Sequence, residues 1–488
     1  MRLLAQLALA LWLGGTAVGA AAAAPAGSGV DVRATGLDPA LFPEPAVLQP
    51  AVRFWTRVFG TWGDNQSVVH SSVRPYQVVQ ILTFDSDGSA AGRRATEKQA
   101  VDGAERALRG IVAAGGDVSR LSTDQRQVYD ALGGGPVQKF QALEGTLRVQ
   151  RGLRERTRNA LTVAGRYLPS MERIFANYGL PRALTRLPIV ESSFDLLAYS
   201  KVGAAGIWQF MPAAARIYMT LDAVQDDRRD PWTSTDAAAR FLRDNHEALG
   251  TWPLAITAYN YGRGGVQRAL AATGGATLAD LVERYDNPRF GFASSNFYAE
   301  FLAANVVATH AAHYYGPVAP VAPVRFDTVT TSNYVPYRAL EEISGADATQ
   351  FAMLNPAFSA AVVDGHMRVP PGATIRVPAG EATRFKRLYA DLGPAQRFDR
   401  QRSWYVSYRV RRGDALTAIA QRHRVSVERL VAVNQLHSAR HIRVGQVLRI
   451  PTEANAARLM PAAAHTPRSN VVRHRVQHGQ TLSGIAER

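Results

Sequence analysis

The sequence predicts an α+β multidomain protein: a mainly α-helical central unit followed by small βααβ modules. Its 488 residues exceed one ordinary core, given about 150 residues per domain. Apolar residues recur at steps of three and four from Phe140 to about His310, where strand patterns are scarce. Near the C-terminus a segment returns: Tyr408-Arg-Val-Arg-Arg-Gly-Asp-Ala-Leu-Thr-Ala-Ile-Ala-Gln-Arg422 recurs 66 residues later, from His474 to Arg488, with seven of fifteen positions identical.

Residues 1–24 hold one arginine, Arg2, an apolar run from Leu3 to Val18 and an Ala-rich exit. That run is shorter than the roughly 20 apolar residues a membrane span needs, so a cleaved secretory signal peptide is expected. Residues 25–145 are mixed and their role is unread. They contain a strand-like Tyr76 to Leu82, a polar loop from Thr83 to Glu97, a helical Asp117 to Leu132 and a turn at Gly133 to Pro136. This glycine run lacks the lysine and hydroxyl of a phosphate loop.

The helical unit is expected over 146–312. Leu153, Leu161, Ala164 and Leu168, then Met171, Phe175 and Tyr178, form two helices split by Pro169. A short helix leads to Val190 and carries Glu191 near its end. Asp230-Pro-Trp-Thr-Ser234 starts a helix through Ala237 to Leu249, which Gly250 closes, and others hold Ala255 to Tyr261 and Asn296 to Ala312.

Farther on, Tyr405 to Val410 alternates as a strand. Leu416, Ile419 and Ala420 mark a helix, Val427 to Val433 a second, and Val447 to Pro451 a closing strand, giving a module at 403–452. A degenerate copy is expected at 325–380, where Leu340, Ile343, Asn355 and Ala373 to Pro378 imitate Leu416, Ile419, Asn434 and Val447 to Pro451. Linkers are expected at 379–402 and 453–470. The copy at 471–488 has only a strand and a helix, which cannot bury an apolar face alone.

With no cysteine there is neither a disulfide nor a thiol to accept a lipid anchor. A net charge of +16 favours a polyanionic partner, but the basic residues form no dense run and no nucleic-acid motif accompanies them, so nucleic acid is not the expected partner. The histidines show no metal-ligand spacing. Ser192 and Ser193 lack the elbow of a hydrolase nucleophile. Neither metal nor cofactor is expected.

The chemistry concentrates between Pro188 and Asn260. Glu191 stands beside Ile189, Val190 and Phe194, and desolvation by such neighbours disfavours a carboxylate. A rise from about 4.3 to about 6 would keep it a proton donor near neutrality. Its alternative is a helix-end carboxylate paired with Arg182 or Arg186. Asp222, Asp226, Asp227 and Asp230 sit in a polar loop where solvated or capping roles are the safer reading. No second acid shares a comparable motif, although ordinary glycosidases use two carboxyls about 5 Å or about 6.5 to 9.5 Å apart.

Glu191-Ser192, the Gly-x-x-Gln element ending at Gln209 and Ala258-Tyr259-Asn260 resemble, in order and spacing, the signature of the Slt-type lytic transglycosylases. Over 149–310 the chain resembles the membrane-bound lytic transglycosylase D group. The resemblance implies a goose-lysozyme-like fold with peptidoglycan (murein) as substrate and partner. It also implies that Glu191 is the acid and then the base, assisted by the substrate's N-acetyl group, with the C6 hydroxyl of N-acetylmuramic acid attacking C1 to leave a 1,6-anhydro end.

Ser192, Gln209, Tyr259 and Asn260 would contact substrate or support the acid. Ser192 could instead cap the helix, and Tyr259 could be core. Trp208 could stack on sugar or be core. The family's fourth motif has a tyrosine where Phe297 and Tyr298 compete, and Tyr298 is taken as the phenol. The βααβ pattern resembles LysM, which implies glycan binding through Gly413, Asp414, Ala415 and Leu416 and near His437 to Val444. The location implied is the periplasm, against the wall. A hydrolytic muramidase and a non-catalytic murein-binding scaffold are the competing readings.

Overall fold

The computed structural model describes residues 34–85, 88–402, 405–434, 436 and 442–451. The expected signal peptide, the 453–470 linker, the 471–488 copy and the stretch from His437 to His441 lie outside them.

The largest core belongs to the central helices. Asp230 accepts hydrogen bonds from the amides of Trp232 and Thr233, and Pro231 opens the Pro231–Leu249 helix, which Gly250 closes at φ 79°. This helix carries Ala237, Ala238 and Ala239, all fully buried, so neighbouring backbones approach closely on more than one side. The helix Phe292–Thr309 is buried nearly all round, as expected of a core-spanning helix. Helices Trp252–Tyr261 and Leu187–Glu191 pack against it.

The boundary expected at residue 146 is not where the molecule divides. Helix Gln49–Gly60 packs along Phe292–Thr309 and contributes Phe54, Trp55, Val58 and Phe59 to the central core. Instead of the helix expected onward from Phe140, Leu147–Arg151 is strand β3. It pairs antiparallel with β1 (Gln66–Ser71), which also pairs with β2 (Val78–Thr83), giving the order β2-β1-β3. Its alternation of Leu147, Val149 and Arg151 has period two, and Val149 packs on the core under helix Ala90–Ala113. That helix begins within the stretch expected to be a polar loop, capped by Ser89.

Residues 326–392 form a second core around Leu340, Phe351, Ile375 and Phe385. Strands β4 (Phe326–Thr330) and β5 (Thr374–Pro378) pair antiparallel, with helices Tyr337–Ile343, Ala348–Leu354 and Ala360–Val363 between them. The linker expected at 379–402 is corrected: Ala382–Ala390 is a helix whose Phe385 is buried in this core.

The last described unit runs β6 (Tyr405–Arg409), helices Leu416–Arg422 and Val427–Val433, and β7 (Val447–Pro451), the expected βααβ order. Among the described residues no helix is long and apolar enough to cross a membrane.

Candidate active site

Glu191 closes a one-turn helix, Leu187–Glu191, that Pro188 opens. Directly after it, Ser193 and Phe194 take left-handed conformations at φ 56° and 57°. Two consecutive non-glycine residues in that region are costly, and surrounding packing must over-determine them. The Phe194 side chain is buried, and its amide donates to the Pro188 carbonyl. Ser192 is buried, and its hydroxyl donates to the Ile207 carbonyl at 2.9 Å, tying the acid's helix to the next loop.

Arg182 and Arg186 are not partners of Glu191. Both pair with Glu172 instead. Half-buried Glu191 makes no hydrogen bond or ion pair among the described residues. Burial first, and the Glu300 carboxyl second, push Glu191 up to about 8.

The Gly203–Phe210 loop forms the adjoining wall. Gly206 (φ 76°) lies so close to Arg228 that a Cβ would meet its carbonyl oxygen at 1.7 Å, so only glycine fits. Buried Arg228 donates to the Gly203 and Phe210 carbonyls at 2.7 and 3.2 Å and pairs with Asp226 at 2.7 Å. Gln209 (φ 48°) turns its amide nitrogen inward to the Gly206 carbonyl at 2.8 Å. Trp208 is core: fully buried, stacked on Phe175 and bonded to Thr235.

Tyr259 donates to the Trp208 carbonyl at 2.8 Å, and its ring lies parallel to Phe297 at 6.5 Å. Burial first, and Glu191 second, hold its phenol well above its ordinary value. Asn260 is exposed, and its Oδ1 accepts from Ser294 at 2.8 Å.

The structure thus ties Ser192, next to Glu191, together with Gln209 and Tyr259 to one loop, while Asn260 bonds to the Phe292–Thr309 helix instead. Tyr298 is a correction: it is fully buried, and its hydroxyl donates to the Pro43 carbonyl, so it ties the N-terminal segment to the core. Phe297, one residue earlier, faces Tyr259. The loop aspartates do cap, as Asp230 does, but Asp227 and Asp230 are buried rather than solvated.

Residues 172–282 match the transglycosylase SLT domain, and residues 408–451 match the LysM domain. One segment of the chain thus matches an SLT domain and another a LysM domain. The chain is similar to membrane-bound lytic murein transglycosylase D of Escherichia coli (strain K12), 28% identical over 317 residues, 63% of this chain and 67% of the relative. It is also similar to N-acetylmuramoyl-L-alanine amidase XlyB of Bacillus subtilis (strain 168), 35% identical over 66 residues, 14% of this chain and 21% of the relative. An X-ray structure of an inactive mutant of lytic transglycosylase Slt from Pseudomonas aeruginosa is 22% identical, with a TM-score of 0.25, covering 31% of this chain and 24% of that one. At that score the superposition carries no weight.

In the LysM domain, Gly413 (φ 87°) makes the turn after β6, and Ala415 is exposed. The Asp414 carboxylate accepts from the Arg411 amide at 2.7 Å and the Tyr408 hydroxyl at 2.9 Å, so it shapes the loop. Leu416 is a correction, because its side chain lies in the module's core and cannot face a glycan.

Glu300 escaped sequence reasoning. It sits in the apolar helix Phe292–Thr309 of the central core, half-buried, without a hydrogen bond or ion pair among the described residues. Burial pushes it up to about 8, while Arg148 pulls it down. The available signal was a lone charged residue within Tyr-Ala-Glu-Phe-Leu, on a helix that is otherwise uncharged and mostly apolar.

Proposed function

We propose that this protein cleaves the β-1,4 bond between N-acetylmuramic acid and N-acetylglucosamine in peptidoglycan without water, leaving 1,6-anhydro ends. The observation that carries this is Glu191, a carboxyl without a hydrogen bond or ion pair among the described residues that burial pushes up to about 8. It is protonated at neutral pH, as a general acid must be.

Glu191 donates its proton to the bridging oxygen as the C1–O bond breaks. The substrate's N-acetyl oxygen stabilises the positive charge at C1. The resulting Glu191 carboxylate then takes the proton of the C6 hydroxyl as that oxygen bonds to C1, which restores the acid. Tyr259, anchored on the Trp208 carbonyl, supports Glu191. Gln209, through its carbonyl oxygen, and Asn260 would bond to sugar, while Ser192 holds the acid's turn to the loop. The LysM domain would hold glycan against the loop from Gly413 to Ala415, keeping the enzyme at the wall on the periplasmic side.

Glu191→Gln keeps the shape and removes the proton. Lysis of purified sacculi is expected to fall by about 10²- to 10⁴-fold with an unchanged circular dichroism spectrum. Retained lysis would end the assignment. A hydrolysing muramidase has one observation in its favour, the second carboxyl Glu300. Mass spectrometry of the digest separates the two, by anhydro ends against reducing ends.

A further inference from the structure

Arg228 stands where the active-site wall meets the 326–392 unit, and its guanidinium works in two directions. Nη1 donates to the Gly203 and Phe210 carbonyls at 2.7 and 3.2 Å, gripping the loop at both ends. Nε and Nη2 donate to the two Asp226 carboxylate oxygens at 2.8 and 2.7 Å. Its backbone holds the middle of the loop, because the Arg228 carbonyl oxygen fills the place where a Cβ on Gly206 would stand. The side chain is 2% exposed, so water does not compete for these bonds.

That loop carries the anchor points of the site. The Ile207 carbonyl accepts the Ser192 hydroxyl beside Glu191, the Trp208 carbonyl accepts the Tyr259 hydroxyl, and Gln209 bonds back to the Gly206 carbonyl. Displacing the loop therefore displaces all of these together.

Both flanks of Arg228 are held by the 326–392 unit. Before it, the Asp226 amide donates to the Ala357 carbonyl, and the Ser359 amide donates to the Val224 carbonyl, both at 2.8 Å. The Ser359 hydroxyl donates to the Ala223 carbonyl at 2.8 Å, and the Val224 side chain is buried in that unit's core. After it, Asp230 pairs with Arg376, whose guanidinium also donates to Thr233 at 3.1 Å. Arg228 sits between these two pins, inside the SLT match at 172–282, while the unit that pins it lies beyond that match.

We propose that Arg228 is a positioning residue for the reaction and that the 326–392 unit is part of the catalytic assembly. The unit fixes Arg228, and Arg228 fixes the loop on which the turn of Glu191, Tyr259 and Gln209 depend. The proposal rests on the reading of that loop as the active-site wall. A planar guanidinium suits this task because it serves two carbonyls and a carboxylate at once, which a lysine ammonium cannot do in the same geometry. Placement matters at this scale, since a misplacement of about 1 Å arising far from the chemistry can cost about 10²-fold in rate. On this account the second unit acts on turnover without touching glycan.

Two variants of the full-length protein test this from opposite ends of the path. Arg228→Lys keeps the charge and loses the fork. Val224→Ala combined with Ser359→Ala loosens the pin from the side of the second unit. Each is assayed on soluble glycan fragments per folded molecule, with the folded fraction read by circular dichroism. Amide hydrogen exchange is read at Ala205 and Gly206, which donate to the Phe210 and Ala198 carbonyls. In Arg228→Lys, kcat is expected to fall about 10- to 100-fold with KM within about threefold, and both loop amides should exchange about 10-fold faster. The Val224→Ala, Ser359→Ala protein should show the same pattern at a smaller size, about 3- to 10-fold in kcat.

A second unit with a purely structural role would lower the denaturation midpoint while leaving kcat per folded molecule and loop exchange at their parent values. That result in the Val224→Ala, Ser359→Ala protein, or an unchanged kcat in Arg228→Lys, overturns the proposal. If the loop amides exchange faster in both variants while Glu191→Gln still lyses sacculi, the reading of the site fails and the coupling of the second unit to the loop stands, so the two failures are distinguishable.

Discussion

The 326–392 unit and the LysM domain share one internal latch and use it to opposite ends. In the first, the Asn355 side-chain amide donates to the Phe351 and Arg376 carbonyls, and its Oδ1 accepts from the Arg376 amide. In the second, Asn434 does the same with the Leu430 and Arg449 carbonyls and the Arg449 amide. An asparagine ending the second helix thus pins the closing strand in both units, which supports a common module ancestry.

The latched arginine is where they diverge. Arg376 runs into the SLT domain, pairs with buried Asp230, donates to Thr233 at 3.1 Å and lies 4.7 Å over Trp232. Arg449 stays at home, 5.4 Å over Tyr405 of its own module. The loops diverge too. In the first unit Val335 and Val369 exchange backbone hydrogen bonds, closing one loop on the other, and the Val224 to Asp226 segment bonds to Ser359 and Ala357. In the LysM domain Gly413 and Ala415 remain exposed. One copy of the architecture is therefore built into the enzyme as a brace, and the other leaves its loop exposed. The brace reaches the active-site wall through Asp226, which pairs with the Arg228 that clamps the Gly203–Phe210 loop.

The sharpest way to break this comparison is to truncate the two arginines. Arg376→Ala leaves Asp230 buried without its cation and is expected to cost about 3 kcal/mol or more. Arg449→Ala should cost under about 1 kcal/mol. Chemical denaturation of the full chain reads both, and equal losses would mean that the docking is not what distinguishes the units.

The latch itself should behave alike in both. Asn355→Ala and Asn434→Ala each strand a strand amide and a carbonyl, for about 1 to 3 kcal/mol. Amide exchange at Arg376 and Arg449 locates each loss, and a loss in only one unit would dissolve the parallel. The smallest effect is expected from removing residues 403–488. Retention on insoluble murein should weaken several-fold, while the rate on soluble glycan fragments stays within about twofold, since the module adds local concentration rather than chemistry. A matching fall on soluble fragments would make this module a second brace.

Much of this was legible in the chain. The helix Pro231–Leu249 followed from Asp230, Pro231 and Gly250, because cap, first-turn proline and left-handed glycine are local chemistry. The βααβ order of the LysM domain followed from alternation and from Asn434. The motif residues Glu191, Gln209 and Tyr259 could be proposed from sequence because short apolar and glycine signatures survive without tertiary context. Misreadings arose where contact is long-range. Residues Leu147 to Arg151 were read as helix because nothing nearby reveals that the partner strand is β1. Tyr298 was read as a site residue because a helix position does not state which face meets Pro43. Residues 379–402 were read as linker because Phe385 gains its burial only from strands far back in the chain.

What the sequence by itself determined is therefore the local grammar: where helices start and stop, which module recurs, and which glutamate sits among apolar neighbours. Only the tertiary structure decided that the helix of Glu191 packs against the helix of Glu300, that Arg148 lies over Phe292 of that helix, and that Arg376 locks onto Asp230. The physical reason is range. Caps and periodicity act within a few residues and leave their mark in order along the chain. Desolvation and Coulomb interactions depend on distance through space, and only folding brings residues 230 and 376 together.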